Sequence, residues 1–240
     1  MARRLVLVLL AAALLAGPAG ARPDAGLKVF AAASLTEAFQ AFDASESYNF
    51  GGSNQLAAQI KQGAPADVFA SASPQYTQDL FRQGLVEKPV TFASNRLVLI
   101  VPKSNPAGLK SVYDLARKDV KLVVAAPAVP VGSYTRTVLR KMGLSSVLAK
   151  VVSQESDVKG VVGKVALGQA DAGFVYVTDV KPVAGDVTAI PIPAWAQPRV
   201  RYEIAVVASS SRKPDARAWV KRVLAKQGQA ALARAGFGKP

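Results

Sequence analysis

Apolar runs of strand length alternate with helix-spaced patterns along almost the whole chain. Residues 27–32, 67–71, 96–102, 121–126, 172–177 and 202–207 are near-continuous apolar runs, with shorter ones at 48–50, 151–153 and 187–190. Runs of four to eight apolar residues between turn signals predict buried strands. Between them lie amphipathic segments predicted as helices at 34–42, 53–62, 74–83, 133–142, 157–167, 214–226 and 230–235, with a short one opening at Ser111-x-x-Asp114. Their ends carry recognisable signals. Ser34-x-x-Glu37 reads as a capping box, Ser73-Pro74 as an N-cap followed by proline at the first helical position, and Gly63, Gly84, Gly143 and Gly168 as stops.

Strands alternating with helices predict α/β architecture with parallel or mixed sheets. Loops are short, and no low-complexity linker divides the chain. A second domain must therefore be entered and left through structured segments, and the two long apolar strands at 96–102 and 202–207 are the natural crossings. The predicted division is a discontinuous first lobe, 22–101 plus 206–240, and an inserted second lobe, 102–205. The hinge strands are predicted near 97–103 and 202–207. Two lobes joined in this way are one repertoire for closing on a ligand.

The first 21 residues stand apart. Arg3 and Arg4 precede eleven apolar residues, Leu5 to Leu15, then Gly17-Pro18 and the small-residue site Ala19-Gly20-Ala21. This pattern predicts a secretory signal peptide cleaved after Ala21. No cysteine follows it for a lipid anchor, so a soluble protein outside the cytoplasmic membrane is expected.

Cysteine and histidine are both absent from the 240 residues. Disulfide frameworks, thiol nucleophiles, Ser-His-Asp triads and the common metal sites are excluded with them. An enzyme would need a carboxylate cluster, and Glu37, Asp67, Asp171 and Asp179 are the candidates for one. Glu37 is better explained by the capping box, and Asp67 and Asp171 by turn backbone at strand starts. The formal net charge is +14. It raises a second alternative, a secreted basic module binding anionic polymers, but the basic residues are scattered and aromatics few, so no nucleic-acid partner is expected.

Four predicted helices start at loops rich in small or hydroxyl residues: Ala31-Ala32-Ala33-Ser34, Gly51-Gly52-Ser53-Asn54, Val131-Gly132-Ser133 and Ser156-Asp157-Val158. Helix N-termini present unpaired N–H groups and partial positive charge, and several converging on one cleft make an anion site. None of these loops contains Lys or Arg, and Asp157 is their only acid. Neutral donors suit a small, fully deprotonated anion. Phosphate keeps a proton near neutral pH and needs an acceptor for it.

The segments Val29-Phe30-Ala31-Ala32-Ala33-Ser34-Leu35-Thr36, Gly63-Ala64-Pro65-Ala66-Asp67-Val68-Phe69, Val129-Pro130-Val131-Gly132-Ser133-Tyr134, Asp157-Val158-Lys159-Gly160 and Asp171-Ala172-Gly173-Phe174-Val175-Tyr176 resemble, in order and spacing, the molybdate-binding proteins of bacterial ABC transporters. The resemblance covers residues 27–237 and implies a two-lobed periplasmic-binding-protein fold of type II with a ligand cleft between the lobes. It implies molybdate or tungstate as ligand, bound as an oxyanion with no direct metal ligand and no cofactor. The implied ligand contacts are hydroxyl and backbone donors of Ser34 and Ser53, backbone N–H of Val131 and Val158, and the hydroxyl of Tyr176. Asn54 is an alternative to Ser53. A membrane permease is the implied partner, and a monomer is expected. Sulfate or thiosulfate is the nearest alternative ligand, and the span from Ser34 to Ser53 is shorter than in many relatives.

Overall fold

A computed structural model describes residues 26–117 and 119–240; the expected signal peptide lies outside them. The chain begins with β1 (Lys28–Ala32), α1 (Thr36–Phe42), β2 (Ser47–Gly51), α2 (Ser53–Lys61), β3 (Val68–Ser71), α3 (Pro74–Arg82) and β4 (Val90–Asn95). It continues through β5 (Leu97–Pro102), α4 (Asp114–Arg117), β6 (Leu122–Ala125), α5 (Pro130–Lys141), β7 (Val151–Glu155), α6 (Val158–Ala166), β8 (Ala172–Tyr176), α7 (Val177–Val180) and β9 (Val187–Pro191). It ends with β10 (Val200–Val206), α8 (Lys213–Leu224) and α9 (Lys226–Ala235).

The strands form two five-stranded sheets, β2-β1-β3-β10-β4 and β7-β6-β8-β5-β9. In the first, β1 runs parallel to β2 and β3, while β10 is antiparallel to β3 and β4. In the second, β6 runs parallel to β7 and β8, while β5 is antiparallel to β8 and β9. Both sheets are thus mixed and flanked by helices, as the α/β periodicity predicts. The apolar runs became central strands: β3, β5, β6 and β8 are buried along their whole length.

The changeover points differ from the predicted 101/102 and 205/206. All of β5 pairs in the second sheet, and all of β10 in the first. The chain therefore crosses at Arg96, between β4 and β5, and returns through residues 192–199. A uniformly apolar strand reads alike whichever sheet it joins; its pairing partners decide. Strand β4 was not predicted, because its polar-interrupted sequence VTFASN at a sheet edge lacks a continuous apolar run.

Two helices start on the side-chain caps that the sequence signals, whereas α9 starts at Lys226 and not at the predicted 230. The Ser73 side chain accepts the Gln75 N–H at 3.3 Å and Pro74 occupies the first turn of α3. Asp157 accepts from Gly160 N at 3.1 Å at the start of α6. The predicted capping box at Ser34 does not form. Residues Ala33–Leu35 make a 3-10 turn, so Ser34 precedes α1 by a turn and its hydroxyl points elsewhere. Helix α5 starts at Pro130, not Ser133, with proline at a position whose N–H would be unpaired anyway.

The first lobe is closed beneath its sheet by α1, α8 and α9. Trp219 of α8 meets the Phe39 ring edge-on, with centroids 5.3 Å apart, and packs on Phe42 at 5.8 Å. This cluster holds α1, and with it the 3-10 turn carrying Ser34, against the C-terminal helices. Burial of each such ring is worth about 1.5–3 kcal/mol.

Candidate functional site

A small cleft lies where the two lobes meet. Ser34, Gly52 and Ser53 line it from the first lobe, and Val131, Val158 and Tyr176 from the second. All five predicted ligand contacts are therefore on one wall system, and all five are buried. Asn54, the alternative to Ser53, is not among the lining residues.

Each lining group comes from the end of a strand or the start of a helix. Ser34 sits in the 3-10 turn just after β1. Gly52 is the N-cap of α2, which makes Ser53 its first residue. Val129 is the N-cap of α5 and Pro130 its first residue, so Val131 offers the first available N–H. Asp157 caps α6, and Val158 begins it. The first N–H groups of a helix have no partner within it, so three helix starts and a 3-10 turn aim backbone donors at one space. Gly132 permits this at α5: a Cβ there would lie 2.2 Å from the Ala126 carbonyl oxygen and 2.4 Å from that of Ala125.

The hydroxyls are arranged to donate. Ser53 Oγ accepts the Ala72 N–H at 3.0 Å, which leaves its own proton free. Ser34 Oγ is 2.8 Å from the Tyr202 hydroxyl. Tyr176 Oη is fully buried and has no hydrogen-bond partner in the protein. Burial pushes the Tyr176 phenol well above its ordinary range, so it stays neutral and keeps its proton. An unpaired buried hydroxyl costs about 1–3 kcal/mol unless something fills the space beside it.

The lining contains no Lys or Arg, and its one carboxylate, Asp157, is engaged through Oδ1 with Gly160 N. The nearest cation in sequence, Lys159, bridges the lobes instead. Its Nζ lies 2.7 Å from Glu37 Oε1 of α1 and 3.7 Å from Asp179 Oδ1 of α7. Further bonds across the cleft run from Tyr76 Oη to the Ala128 carbonyl and from Tyr134 Oη to the Ala72 carbonyl at 3.4 Å.

Of the carboxylates weighed as an enzyme's cluster, Glu37 and Asp179 share Lys159, while Asp67 and Asp171 lie elsewhere. Asp67 accepts the Lys28 N–H at 2.8 Å and the Ser210 hydroxyl, and Asp171 accepts the Lys121 N–H at 2.7 Å, both at strand starts. Asp179 accepts the Tyr176 N–H at 3.0 Å. Among the described residues no group of three His, Cys, Asp or Glu could hold a metal ion.

The model of the bacterial extracellular solute-binding protein family matches residues 27–238. The molybdate-binding protein ModA of Mycobacterium tuberculosis is 40% identical over 236 residues, covering 94% of this chain and 88% of that protein. The chain belongs to the bacterial extracellular solute-binding proteins, in the molybdate-binding family. A second member, ModA of Haemophilus influenzae, is 32% identical over 230 residues, with 89% of this chain and 90% of that protein covered. The periplasmic molybdate-binding protein of Azotobacter vinelandii shares the fold, with a TM-score of 0.80 at 23% identity over 89% of this chain and 99% of that one.

Family membership accounts for the two-lobed architecture, but two participants at the cleft were invisible in the sequence. Tyr202, in the middle of an apolar strand, and Asn95, in the unpredicted β4, both reach Ser34's surroundings. No local pattern marks either, since the side chains they meet, Ser34 and Thr178, are more than 80 residues away.

Proposed function

We propose that this chain captures molybdate between its lobes outside the cytoplasmic membrane and delivers it to the permease of an ABC transporter. The observation that carries the reading is a cleft lined by neutral donors from both lobes, with a partnerless Tyr176 hydroxyl, no lysine or arginine, and one carboxylate, Asp157, occupied in capping its own helix. The relatives' names point to the same ligand. Ser34, Ser53 and Tyr176 donate through hydroxyls, and Val131 and Val158 through backbone N–H. Tungstate, with the same shape and charge, binds the same donors.

The protein does no chemistry on its ligand and needs no cofactor. The open lobes admit the dianion, donors from both sides then ligate it, and the closed population rises because only that state has the full donor set. It works as a monomer and in solution; among the described residues no helix is long and apolar enough to cross a membrane.

A thermal-shift panel on purified residues 22–240 tests this, with molybdate, tungstate, sulfate and phosphate at fixed ionic strength. A ligand at 100 times its Kd adds about 2.7 kcal/mol of apparent stability. The expected result is a large shift with molybdate and tungstate alone. A shift with sulfate alone would replace the ligand, and no shift with any of the four would refute oxyanion capture.

A further inference from the structure

We infer that Asn95 and Tyr202 are positioning residues that fix the direction of the Ser34 hydroxyl, holding its proton toward the cavity. The inference deepens the oxyanion reading and rests on it for its binding arm.

The Arg96 backbone N–H can only donate, and it meets Asn95 Oδ1 at 2.9 Å. That contact fixes the amide orientation, so Asn95 Nδ2 faces the other way. Nδ2 carries two hydrogens and no usable lone pair. One points to Thr178 Oγ1 at 2.9 Å and the other to Tyr202 Oη at 3.4 Å. Tyr202 therefore receives a hydrogen bond from Asn95 and has one proton of its own to place. Its other hydrogen bond is to Ser34 Oγ, at 2.8 Å; the Tyr176 hydroxyl lies near it but makes no hydrogen bond within the protein. With Tyr202 donating, Ser34 Oγ is an acceptor in that bond and its own hydrogen is released. Ser34 lines the cavity, and among the described residues its hydroxyl has no second protein partner.

Ser53 reaches the same polarity by a shorter route, since a backbone N–H, that of Ala72, occupies its oxygen. Both serines thus present protons to the ligand. A fully deprotonated oxyanion offers only acceptors and matches them; an oxygen bearing hydrogen does not. The relay also ties the site to the crossing between lobes. Asn95 ends β4, Arg96 is the crossing residue, and Thr178 belongs to the second lobe.

The near-isosteric exchange Asn95→Asp inverts the relay. A carboxylate would accept from Tyr202, Ser34 would then donate to Tyr202, and its lone pairs would face the dianion. The test is a double-mutant cycle on molybdate Kd with N95D, Y202F and N95D/Y202F. Reversal of one charge-assisted hydrogen bond weakens binding by about tenfold to a hundredfold. The expected result is that the N95D factor is at least about tenfold larger with Tyr202 present than with Phe in its place. An equal N95D factor in both backgrounds, as simple charge repulsion or misfolding would give, overturns the relay.

A second measurement needs neither ligand nor variant. Neutron diffraction on ligand-free, deuterium-exchanged crystals should place deuterium on Tyr202 Oη, pointing at Ser34. Deuterium on Ser34 Oγ pointing at Tyr202 overturns the inference. If the wild-type chain does not bind molybdate, the proposed function fails, and the neutron map still decides the relay.

Discussion

At Gly52 the backbone of the first lobe lies against that of the second, and a single methyl group there should hold them apart. Its backbone, at φ −63° and ψ 129°, suits any residue, so strain is not the reason for glycine. The reason is space. An ideal Cβ at position 52 would lie 2.4 Å from the backbone carbonyl oxygen of Ser156, which belongs to the other lobe. Carbon and carbonyl oxygen ordinarily approach no nearer than about 3.3 Å, so the overlap is roughly 0.9 Å. The second near atom, Asn54 Oδ1 at 2.7 Å, is a side-chain end that can swing away; the Ser156 backbone can yield only if the lobes part. Overpacking of this kind costs about 1–3 kcal/mol. The cost falls on the closed state alone, so Gly52→Ala should weaken molybdate binding by roughly five- to 150-fold. Its ligand-free melting temperature should stay near that of the wild type. Titration calorimetry together with melting curves without ligand reads both quantities. A wild-type Kd in this variant would refute the claim that closure brings Gly52 against Ser156, and a large loss of ligand-free stability would show that the contact supports the fold itself.

Four further outcomes follow from the site. Ser34→Ala and Tyr176→Phe should each lose about 1–3 kcal/mol of binding free energy by leaving a ligand oxygen underpaired, measured by calorimetry; an unchanged Kd removes that residue from the site. Tyr176→Phe should also leave the ligand-free protein as stable or more so, since it deletes a buried hydroxyl that has no partner, which a melting curve checks. Lys159→Met removes the half-exposed bridge to Glu37 and should weaken binding by less than about 1 kcal/mol, with most of the change in the dissociation rate by stopped flow. Burial raises the Asp179 carboxyl to about 7, so between the ordinary carboxylate range and 7 the folded protein holds a proton the unfolded chain has released. This group's contribution is fully present below that range and is lost as pH rises toward 7; denaturant unfolding across pH 4–7.5 should show the decline, and Asp179→Asn should flatten it.

The elements that were legible in the sequence are those whose signal is local. Strands β1, β3, β6 and β8 are buried runs that no helix pattern imitates, and Asp157 and Ser73 cap the helices their side chains reach. The candidate contacts Ser34, Ser53, Val131 and Val158 lie in loops whose small-residue signature at helix starts is local, whereas Tyr176 was proposed only on likeness to a family. What escaped was decided by partners far along the chain. The Ser34 and Glu37 spacing fits a capping box, yet Tyr202 and Lys159 hold those side chains instead. The lobe boundary slipped by several residues at each crossing because apolar strands β5 and β10 fit either sheet, and only their pairing with β8, β9, β3 and β4 distinguishes them.

The position of β10 between β3 and β4 has a consequence for how the molecule is made. The second lobe's sheet is drawn from one continuous stretch, Leu97 to Pro191, and can be completed as soon as that stretch exists. The first lobe's sheet has an interior strand, β10, supplied near the end of the chain. Until residue 206 has been synthesised, β3 and β4 have an open slot between them, with unpaired edges on both sides. The lobe that comes first in the sequence is therefore the last to be finished, and any truncation before β10 should leave an intact second half attached to a torn sheet.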